Sequence, residues 1–384
     1  MITRSSRRTY QCHVFATALL VGQLALYRSG NHLYSLTRTD GDAILLLDYD
    51  SGRLSRLRIS EGEWVGGPSI GVEEPIAIRV KIADEKLTIN SKVVATRFDA
   101  FATERVPGGT LYIPRAGGRH PAIVAVPGAG ILPAPYFARR GIAFLALDQR
   151  ADWRSRTFED VADDVIGAVK ALRSRKDIDA QYLGIYASSQ GGWIAPIAAA
   201  KSQAIAFVIC AACPATDLTN QELIRTEAEL RADGFTAAEI EEAVAYRKLY
   251  FDFLQTGAHR DQLEAADQNA KGARWYPRFA GMISRDAPLA MWWQRNERFV
   301  PTDYWKRVRV PALLLFGSLD TRVPPAEHAS RILAADPSAT LMIVANVDHE
   351  GFLAKTGGRD EVPSLDRLPP RAVEPAIDWI LARR

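Results

Sequence analysis

A serine at the apex of a tight turn is the first feature of this 384-residue sequence that suggests chemistry. An apolar, strand-like run at 182–186 leads to Ser188 and Ser189, and a second apolar run follows. A strand–turn–helix with serine at its apex exposes the hydroxyl for nucleophilic attack. The residues two before and two after that serine must be small, because the turn presses their Cα atoms together. Ser189 has Ala187 and Gly191 at these places, whereas Ser188 would have a tyrosine and a glutamine, so Ser189 is the candidate nucleophile.

An acid and a base follow this serine in a suggestive order. A serine hydroxyl is a weak nucleophile until a base removes its proton and an acid orients that base. Asp320 comes just after a strand-like run at 312–316, and His349 comes just after another at 340–345. Functional side chains gather at the carboxyl ends of parallel strands. The order Ser189, Asp320, His349 therefore predicts a nucleophile, an orienting acid and a general base.

Two other residues could compete for these roles. Asp348 adjoins His349, but adjacent residues rarely direct their side chains to meet across a ring nitrogen. His328 is a second candidate base, although it lies in the helix-like run at 325–333. The positions of Asp320 and His349 at strand ends favour them.

Backbone N–H groups that could stabilise a developing oxyanion are also predicted. Gln190 follows the candidate nucleophile at a helix N-terminus, where the helix dipole favours negative charge. The loop 127–130, with the sequence PGAG, follows the first buried strand. Gly128 and Gly130 let its backbone turn back, and Ala129 is the predicted second donor.

The elements that must position these residues follow an alternating pattern. The run at 158–173 has apolar residues at helical spacing and begins with a threonine and an acidic first turn. Unbroken apolar runs, typical of strands buried on both faces, occur at 120–126, 142–147, 182–186, 205–209, 312–316 and 340–345. Buried strands that alternate with helices predict an α/β fold with a doubly wound, mostly parallel sheet.

Other segments depart from this pattern. Residues 31–106 read as short strands separated by turns and predict a small antiparallel β domain. Residues 214–310 predict long amphipathic helices and carry several tryptophans. An insertion of this kind, between two sheet strands, is interpreted as a helical cap over the active site, with 107–213 and 311–384 forming the catalytic domain. Thr236 and Glu239 form a capping box at one of its helices.

Composition excludes several classes of protein. The formal net charge is only +3 with interspersed charges, so no nucleic-acid partner is expected. Three cysteines rule out a disulfide framework, and Cys210 and Cys213 are interpreted as small residues at a strand end rather than a redox pair. The histidines show no metal-binding spacing, and no metal is expected.

The N-terminal segment, 1–30, is either an export signal or a disordered extension. Its arginine pair at 7–8 resembles part of a twin-arginine signal, and its apolar run at 14–26 is shorter than a membrane span requires. No integral membrane span is expected. The protein is predicted to be cytoplasmic, or periplasmic or secreted if 1–30 is an export signal.

Residues 107–384 resemble the α/β-hydrolase superfamily, in particular bacterial ester hydrolases with a small β domain before the catalytic domain. The stretches that carry this resemblance are GTLYIP at 109–114, AIVAVPG at 122–128, RGIAFLALDQR at 140–150, SQGGWI at 189–194, LFGSLD at 315–320 and DH at 348–349. The resemblance implies a triad of Ser189, Asp320 and His349, an acyl-enzyme intermediate and no cofactor.

The sequence departs from these relatives around the entrance to the site. Pro127 stands where they usually have histidine, and the segment 150–156 lacks their glycine-rich loop. The expected function is therefore a serine hydrolase acting on a small-molecule carboxylic ester of unspecified acyl and alcohol groups. A thioester or amide hydrolase with the same triad, or a non-catalytic binding protein on the same fold, is the alternative. The sequence leaves the oligomeric state open.

Overall fold

The computed structural model describes residues 25–38, 44–83, 85–99, 101–130, 132–279 and 284–384. Its strands are β1 (Ala25–Ser29), β2 (His32–Arg38), β3 (Ile44–Asp48), β4 (Leu54–Ser60), β5 (Glu63–Gly66), β6 (Ile78–Ala83), β7 (Lys86–Ile89), β8 (Val93–Arg97), β9 (Phe101–Val106), β10 (Gly109–Pro114), β11 (His120–Ala125), β12 (Ala143–Leu147), β13 (Ile178–Ser188), β14 (Val208–Ala211), β15 (Ala312–Gly317) and β16 (Thr340–Val344). Its α-helices are α1 (Ala134–Arg139), α2 (Phe158–Arg173), α3 (Gly191–Lys201), α4 (Leu218–Ala232), α5 (Ala237–Thr256), α6 (Arg260–Ala270), α7 (Tyr276–Phe279), α8 (Pro288–Asn296), α9 (Thr302–Trp305), α10 (Pro325–Ala335) and α11 (Glu374–Leu381). Short 3₁₀ helices lie at Trp153–Ser155, Arg359–Ser364 and Pro370–Ala372.

The first eight strands form a closed antiparallel barrel. Each strand pairs with the next along the chain, and β1 closes the barrel by pairing with β8. Closure leaves no free strand edge. The barrel begins at Ala25, inside the segment 1–30 that the sequence sets apart. Strand β9, which the sequence places in the β domain, lies at the edge of the large sheet.

The remaining strands form one sheet in the order β16-β15-β14-β13-β11-β12-β10-β9. Strands β11 to β16 run parallel to one another, whereas β10 is antiparallel to both β9 and β12. Helices α2, α3 and α10 pack on one face, and α1 and α11 pack on the other. Strands β11 and β15 are buried along their whole length, because helices exclude water from both faces. The predicted α/β-hydrolase fold is confirmed.

The segment between β14 and β15 is helical. It contains α4 to α9, and α5 begins at the predicted capping box, in which the Thr236 side chain accepts from the Glu239 N–H. Part of this insertion has its own apolar cluster, centred on the fully buried Trp275. Trp305 is equally buried but packs with the sheet helices. Trp275 therefore stabilises the insertion itself, and Trp305 stabilises its contact with the helices on the sheet.

The cysteines differ from expectation in one respect. Cys210 lies in β14 and Cys213 lies two residues after its end, close to what the apolar pattern indicates, but a disulfide joins them. Both are fully buried, and an added Cβ on Gly192 would lie 2.6 Å from the Cβ of Cys213. The sequence predicts no bridge here, because two cysteines separated by two residues do not reveal the backbone turn that brings their sulfurs together.

No α-helix within the described ranges is both long enough and apolar enough to cross a membrane. The interpretation of the N-terminal segment as an export signal rests mainly on residues 1–24, which lie outside the described ranges. The two predicted localisations therefore stay predictions.

Candidate active site

Ser189 lies at the apex of the turn between β13 and α3. Its backbone has φ of 50°, in the left-handed region that a non-glycine residue rarely adopts. The Ser189 N–H donates to the Ala211 carbonyl at 3.0 Å, and the Gly192 N–H donates to the Ser189 carbonyl at 2.8 Å. These bonds hold the strained conformation in place. An added Cβ on Gly191 would lie 3.1 Å from the Cβ of Ala187, which is the steric reason for small residues on both sides of Ser189.

The structure brings the three predicted site residues together. His349 Nε2 lies 2.9 Å from the Ser189 hydroxyl oxygen. His349 Nδ1 lies 3.0 Å from each carboxylate oxygen of Asp320. With Nδ1 protonated and facing the carboxylate, Nε2 is the acceptor that faces Ser189. This geometry suits proton transfer from the hydroxyl to the imidazole.

The Asp320 carboxylate is held by the loop that follows β15. Its Oδ1 accepts backbone N–H groups from Arg322 at 3.0 Å and from Val323 at 2.7 Å. The Asp320 side chain has no exposed surface, and the His349 side chain is 8% exposed. These backbone donors and the surrounding atoms hold the carboxylate in one position relative to His349.

The charges around His349 favour its protonated form. Burial lowers the pKa of His349, but the Asp320 carboxylate outweighs this effect through its charge and its hydrogen bond, and Glu350 adds to the increase. Arg322 acts in the opposite direction. The net result is a pKa of His349 above the ordinary histidine value, so its surroundings favour an imidazolium.

The two rival residues have other partners. Oδ1 of Asp348 accepts the Phe352 N–H at 2.8 Å in the following turn, and burial raises the pKa of this carboxyl to about 7. Nδ1 of His328 accepts the Ala215 N–H at 3.0 Å. Burial lowers the pKa of His328 to about 4, so its ring is neutral near pH 7. Both residues stabilise loops beside the site.

The two predicted oxyanion donors differ in whether their N–H groups already donate to a backbone carbonyl. Gln190 is the N-cap residue of α3, and among the described residues its N–H donates to no backbone carbonyl outside the helices and strands. The Ala129 N–H donates to the Val126 carbonyl at 3.1 Å within a turn. Gly128 and Gly130 flank it with φ of 100° and 71°. Ala129 could therefore donate to a substrate oxygen only if this turn bond opened or was shared.

A narrow pocket adjoins Gln190 on the α3 side of the turn. Three aromatic side chains form much of its wall: Trp153 and Phe158 lie edge-on to Trp292, with ring centroids 5.7 and 5.8 Å away. Trp292 belongs to α8 of the helical insertion. The lining residues are Pro127, Gln149, Trp153, Thr157, Phe158, Val161, Gln190, Ile194 and Trp292. The sequence singles out Trp292 only as one of several tryptophans and does not place it here.

A group of charged side chains beside Asp320 and His349 is also absent from the sequence-based prediction. Arg322 follows Asp320 by two residues, Glu350 follows His349 directly, and Glu229 comes from α4. These residues lie far apart in the chain and form no motif. Their meeting depends on how the insertion packs against the sheet.

One group of potential metal ligands lies on the barrel. Ligand atoms of His32, Asp48 and Asp50 lie within 4.8 Å of one another. The carboxylates, however, already accept backbone N–H groups: Asp50 from Leu33 at 2.8 Å, and Asp48 from Asp50 at 3.0 Å. We read this group as a hydrogen-bonded turn.

The sequence that forms this site matches a known protein family. Residues 123–356, more than half of the chain, match the model of the alpha/beta hydrolase family. No curated protein matches the sequence significantly. Similar solved structures include a 2,6-dihydroxy-pseudo-oxynicotine hydrolase, with 18% identity, a TM-score of 0.42, and coverage of 73% of this chain and 66% of that one. A puromycin hydrolase has 18% identity, a TM-score of 0.44, and coverage of 91% and 52%. A puromycin-hydrolyzing peptidase of Mycobacterium tuberculosis has 17% identity, a TM-score of 0.46, and coverage of 94% and 53%.

The chain thus spans about half the length of the two puromycin-hydrolysing structures. The family match begins within β11, extends past β16, and includes the helical insertion and the residues Ser189, Asp320 and His349. This chain belongs to the α/β-hydrolase family.

Proposed function

We propose that the protein is a serine hydrolase that cleaves carboxylic esters through an acyl-enzyme intermediate. The observation that carries the proposal is the continuous hydrogen-bonded chain from the Ser189 hydroxyl through His349 to Asp320. Nucleophile, base and orienting acid are the parts that acyl transfer by serine requires.

In the proposed reaction, the Ser189 oxygen bonds to the ester carbonyl carbon while its proton passes to Nε2 of His349. Asp320 stabilises the resulting imidazolium. The Gln190 N–H and the N-terminus of α3 stabilise the negative oxygen, and Ala129 joins them if its turn bond opens. His349 returns the proton to the departing alcohol. Water then attacks the acyl carbon while His349 takes its proton, and His349 returns that proton to the Ser189 oxygen as the bond to the acyl group breaks and the acid departs.

An ester is the simplest substrate for this arrangement. An alkoxide leaves more readily than an amine anion, so ester cleavage demands less of the proton donor than amide cleavage does. A thioester or amide hydrolase would use the same residues, and a binding protein could retain the fold without catalysis. A panel of ester, thioester and anilide substrates that share one acyl group separates these alternatives.

The helical insertion is proposed to act as a cap. Trp292 from α8 forms part of the pocket beside Gln190. The side-chain amide of Gln221, on α4, donates to the Arg322 carbonyl in the loop after Asp320. These contacts support a role for the insertion in shaping the substrate site.

The decisive test compares two neighbouring serines. Ser189→Ala removes the only proposed nucleophile, and turnover of a short p-nitrophenyl ester should fall by about 10⁴-fold or more. Ser188→Ala is the matched control, because it removes a hydroxyl one residue earlier and should leave most of the activity. Circular dichroism should show that both variants are folded.

A fluorophosphonate probe tests catalysis without knowledge of the substrate. The wild-type protein should gain one adduct, located on Ser189 by peptide mass spectrometry. Full activity in Ser189→Ala would contradict the assignment of the nucleophile. A folded wild-type protein that neither reacts with the probe nor cleaves any ester would favour the binding-protein alternative.

A further inference from the structure

An ion pair connects the loop of the proposed acid with the loop of the proposed base. Nη1 of Arg322 lies 2.6 Å from Oε1 of Glu350. Arg322 belongs to the loop that follows β15, and Glu350 to the loop that follows β16. The two side chains are 19% and 32% exposed, so water screens their interaction only in part.

The same arginine also contacts the helical insertion. Nε of Arg322 lies 3.5 Å from the Glu229 carboxylate on α4, and this side chain is only 4% exposed. Arg225 donates to the same carboxylate oxygen at 2.9 Å. The Arg322 carbonyl accepts from the Gln221 side chain, also on α4. Arg322 is therefore joined to α4 through both its side chain and its backbone carbonyl.

The backbone of Arg322 completes the connection. Its N–H donates to Oδ1 of Asp320 at 3.0 Å, next to the bonds between this carboxylate and His349. Movement of Arg322 would therefore displace the Asp320 carboxylate. It would also displace the loop that carries His349, because Arg322 is paired with Glu350, the next residue in the chain after His349.

From these contacts we propose that Arg322 and Glu350 are positioning residues for the hydrolytic reaction, which join the Asp320 loop, the His349 loop and helix α4 into one unit. This inference rests on the proposed function of Ser189. Misplacement of a catalytic group by about 1 Å can cost about 100-fold in rate. Neither residue touches the Ser189 hydroxyl in the structure, so their effect passes through Asp320 and His349.

The pair also acts on the charge of His349. Burial lowers the pKa of His349, and Asp320 raises it; of the proposed pair, Glu350 raises it and Arg322 lowers it. The other titratable groups that interact with this ring are Asp348 and His328. Because His349 must be neutral to accept a proton, kcat/KM falls as pH decreases through its pKa.

The fall of kcat/KM at low pH is the acid limb of its pH profile. Substitutions that remove charges of opposite sign should therefore shift this acid limb in opposite directions. Glu350→Gln removes a negative charge and should shift the limb of kcat/KM to lower pH. Arg322→Met removes a positive charge and should shift it to higher pH. The double variant should return it close to the wild-type position, because both charges are absent. In each variant kcat should fall by about 10- to 100-fold with a smaller change in KM.

Two kinds of control make the test specific. Arg139→Met and Glu374→Gln disrupt an ion pair of similar exposure, 3.3 Å long, that joins α1 to α11. Neither should move the acid limb. Arg322→Lys keeps the positive charge but loses the planar guanidinium that reaches both Glu350 and Glu229. It should keep the wild-type acid limb and a lowered kcat.

The outcomes distinguish the two proposals. An unchanged acid limb and kcat in Glu350→Gln and Arg322→Met, with an active wild type, would overturn the positioning role alone. An equal shift of both variants in one direction would also overturn it. If Arg322→Met fails to fold, Glu350→Gln, which preserves size, decides the result. A wild-type protein without probe labelling at Ser189 would instead overturn the proposed hydrolase function.

Discussion

Two aspartates near His349 show how position separates residues of one chemical type. Asp320 faces Nδ1 of the imidazole and accepts two backbone N–H groups. Asp348 precedes His349 in the chain but bonds to the Phe352 N–H in its own turn. Proximity in sequence is therefore a poor guide here, since a residue next to the base cannot easily point at its ring.

Substitution of each aspartate by asparagine should separate their roles. Asp320→Asn removes the charge that stabilises the imidazolium and can favour the wrong tautomer of His349. We expect kcat to fall by about 10⁴-fold. Asp348→Asn keeps an acceptor for Phe352 and should retain most of the activity. Comparable losses in both variants would contradict the assignment of Asp320 as the acid.

The same Asp348 variant has a pH-dependent effect on stability. Burial raises the pKa of Asp348 to about 7, so the folded state favours its protonated form. This contribution to stability is lost as pH rises through about 7. We therefore expect thermal denaturation to show a larger gain in Tm from Asp348→Asn at pH 8 than at pH 5. A gain independent of pH would contradict this account.

At the scale of elements, the turn between β13 and α3 depends on close packing against the end of β14. An added Cβ on Gly192 would lie 2.6 Å from the Cβ of Cys213, 2.8 Å from its Cα, and 2.7 Å from Cδ of Pro214. These neighbours belong to a rigid, disulfide-linked turn that cannot move aside easily. The absence of a side chain at position 192 lets α3 begin directly after the nucleophile.

Two helix glycines provide a matched comparison. Gly192→Ala should destabilise the protein by about 1–3 kcal/mol through overpacking, and should lower activity by displacing Ser189. Gly167→Ala lies in α2, where an added Cβ meets nothing within 4 Å. It should be neutral or stabilise by up to about 1 kcal/mol, because alanine favours helix. Chemical denaturation measures both, and equal effects would contradict the packing account.

On the scale of the whole molecule, the barrel and the large sheet share an apolar cluster. Tyr49 is fully buried, its ring centroid lies 4.7 Å from that of Tyr136, and its hydroxyl donates to the Leu132 carbonyl at 3.4 Å. Backbone bonds join the barrel to the segment after His349, including Leu54 N–H to the Asp366 carbonyl at 2.7 Å. The barrel therefore contacts the segment that follows the His349 loop.

Because the barrel and the large sheet share this apolar cluster, we expect them to unfold together. Calorimetry should show one transition, and Tyr49→Ala should lower its Tm as a whole by removing about 3–5 kcal/mol of packing. Ile59→Ala, at a barrel position that is 63% exposed, should change stability by less than about 0.5 kcal/mol. Two separate transitions, with only the first affected by Tyr49→Ala, would contradict the shared core.

Much of the fold and the candidate site is readable from the sequence because it depends on local physics. Apolar runs bounded by turns reveal the strands of the parallel sheet, and helical spacing reveals α2 at the bounds that the structure has. The prediction that the run at 340–345 is buried on both faces is wrong, because this run forms the edge strand β16, where Leu341 and Ile343 are exposed. The small residues around Ser189 identify the nucleophile candidate from steric constraints within five consecutive positions. The order of Asp320 and His349 after successive strands then follows from the parallel sheet.

Only the tertiary structure decided which distant side chains meet. The Arg322–Glu350–Glu229 contacts, the position of Trp292 in the pocket and the closure of the barrel join segments with no common pattern in sequence. Charged side chains are ordinary on any surface, and their burial depends on how the insertion packs. The sequence by itself determined the strands of the sheet, the turn at Ser189 and the candidate nucleophile, because each depends on residues that are close together in the chain. Long-range packing decided which side chains surround Ser189, Asp320 and His349.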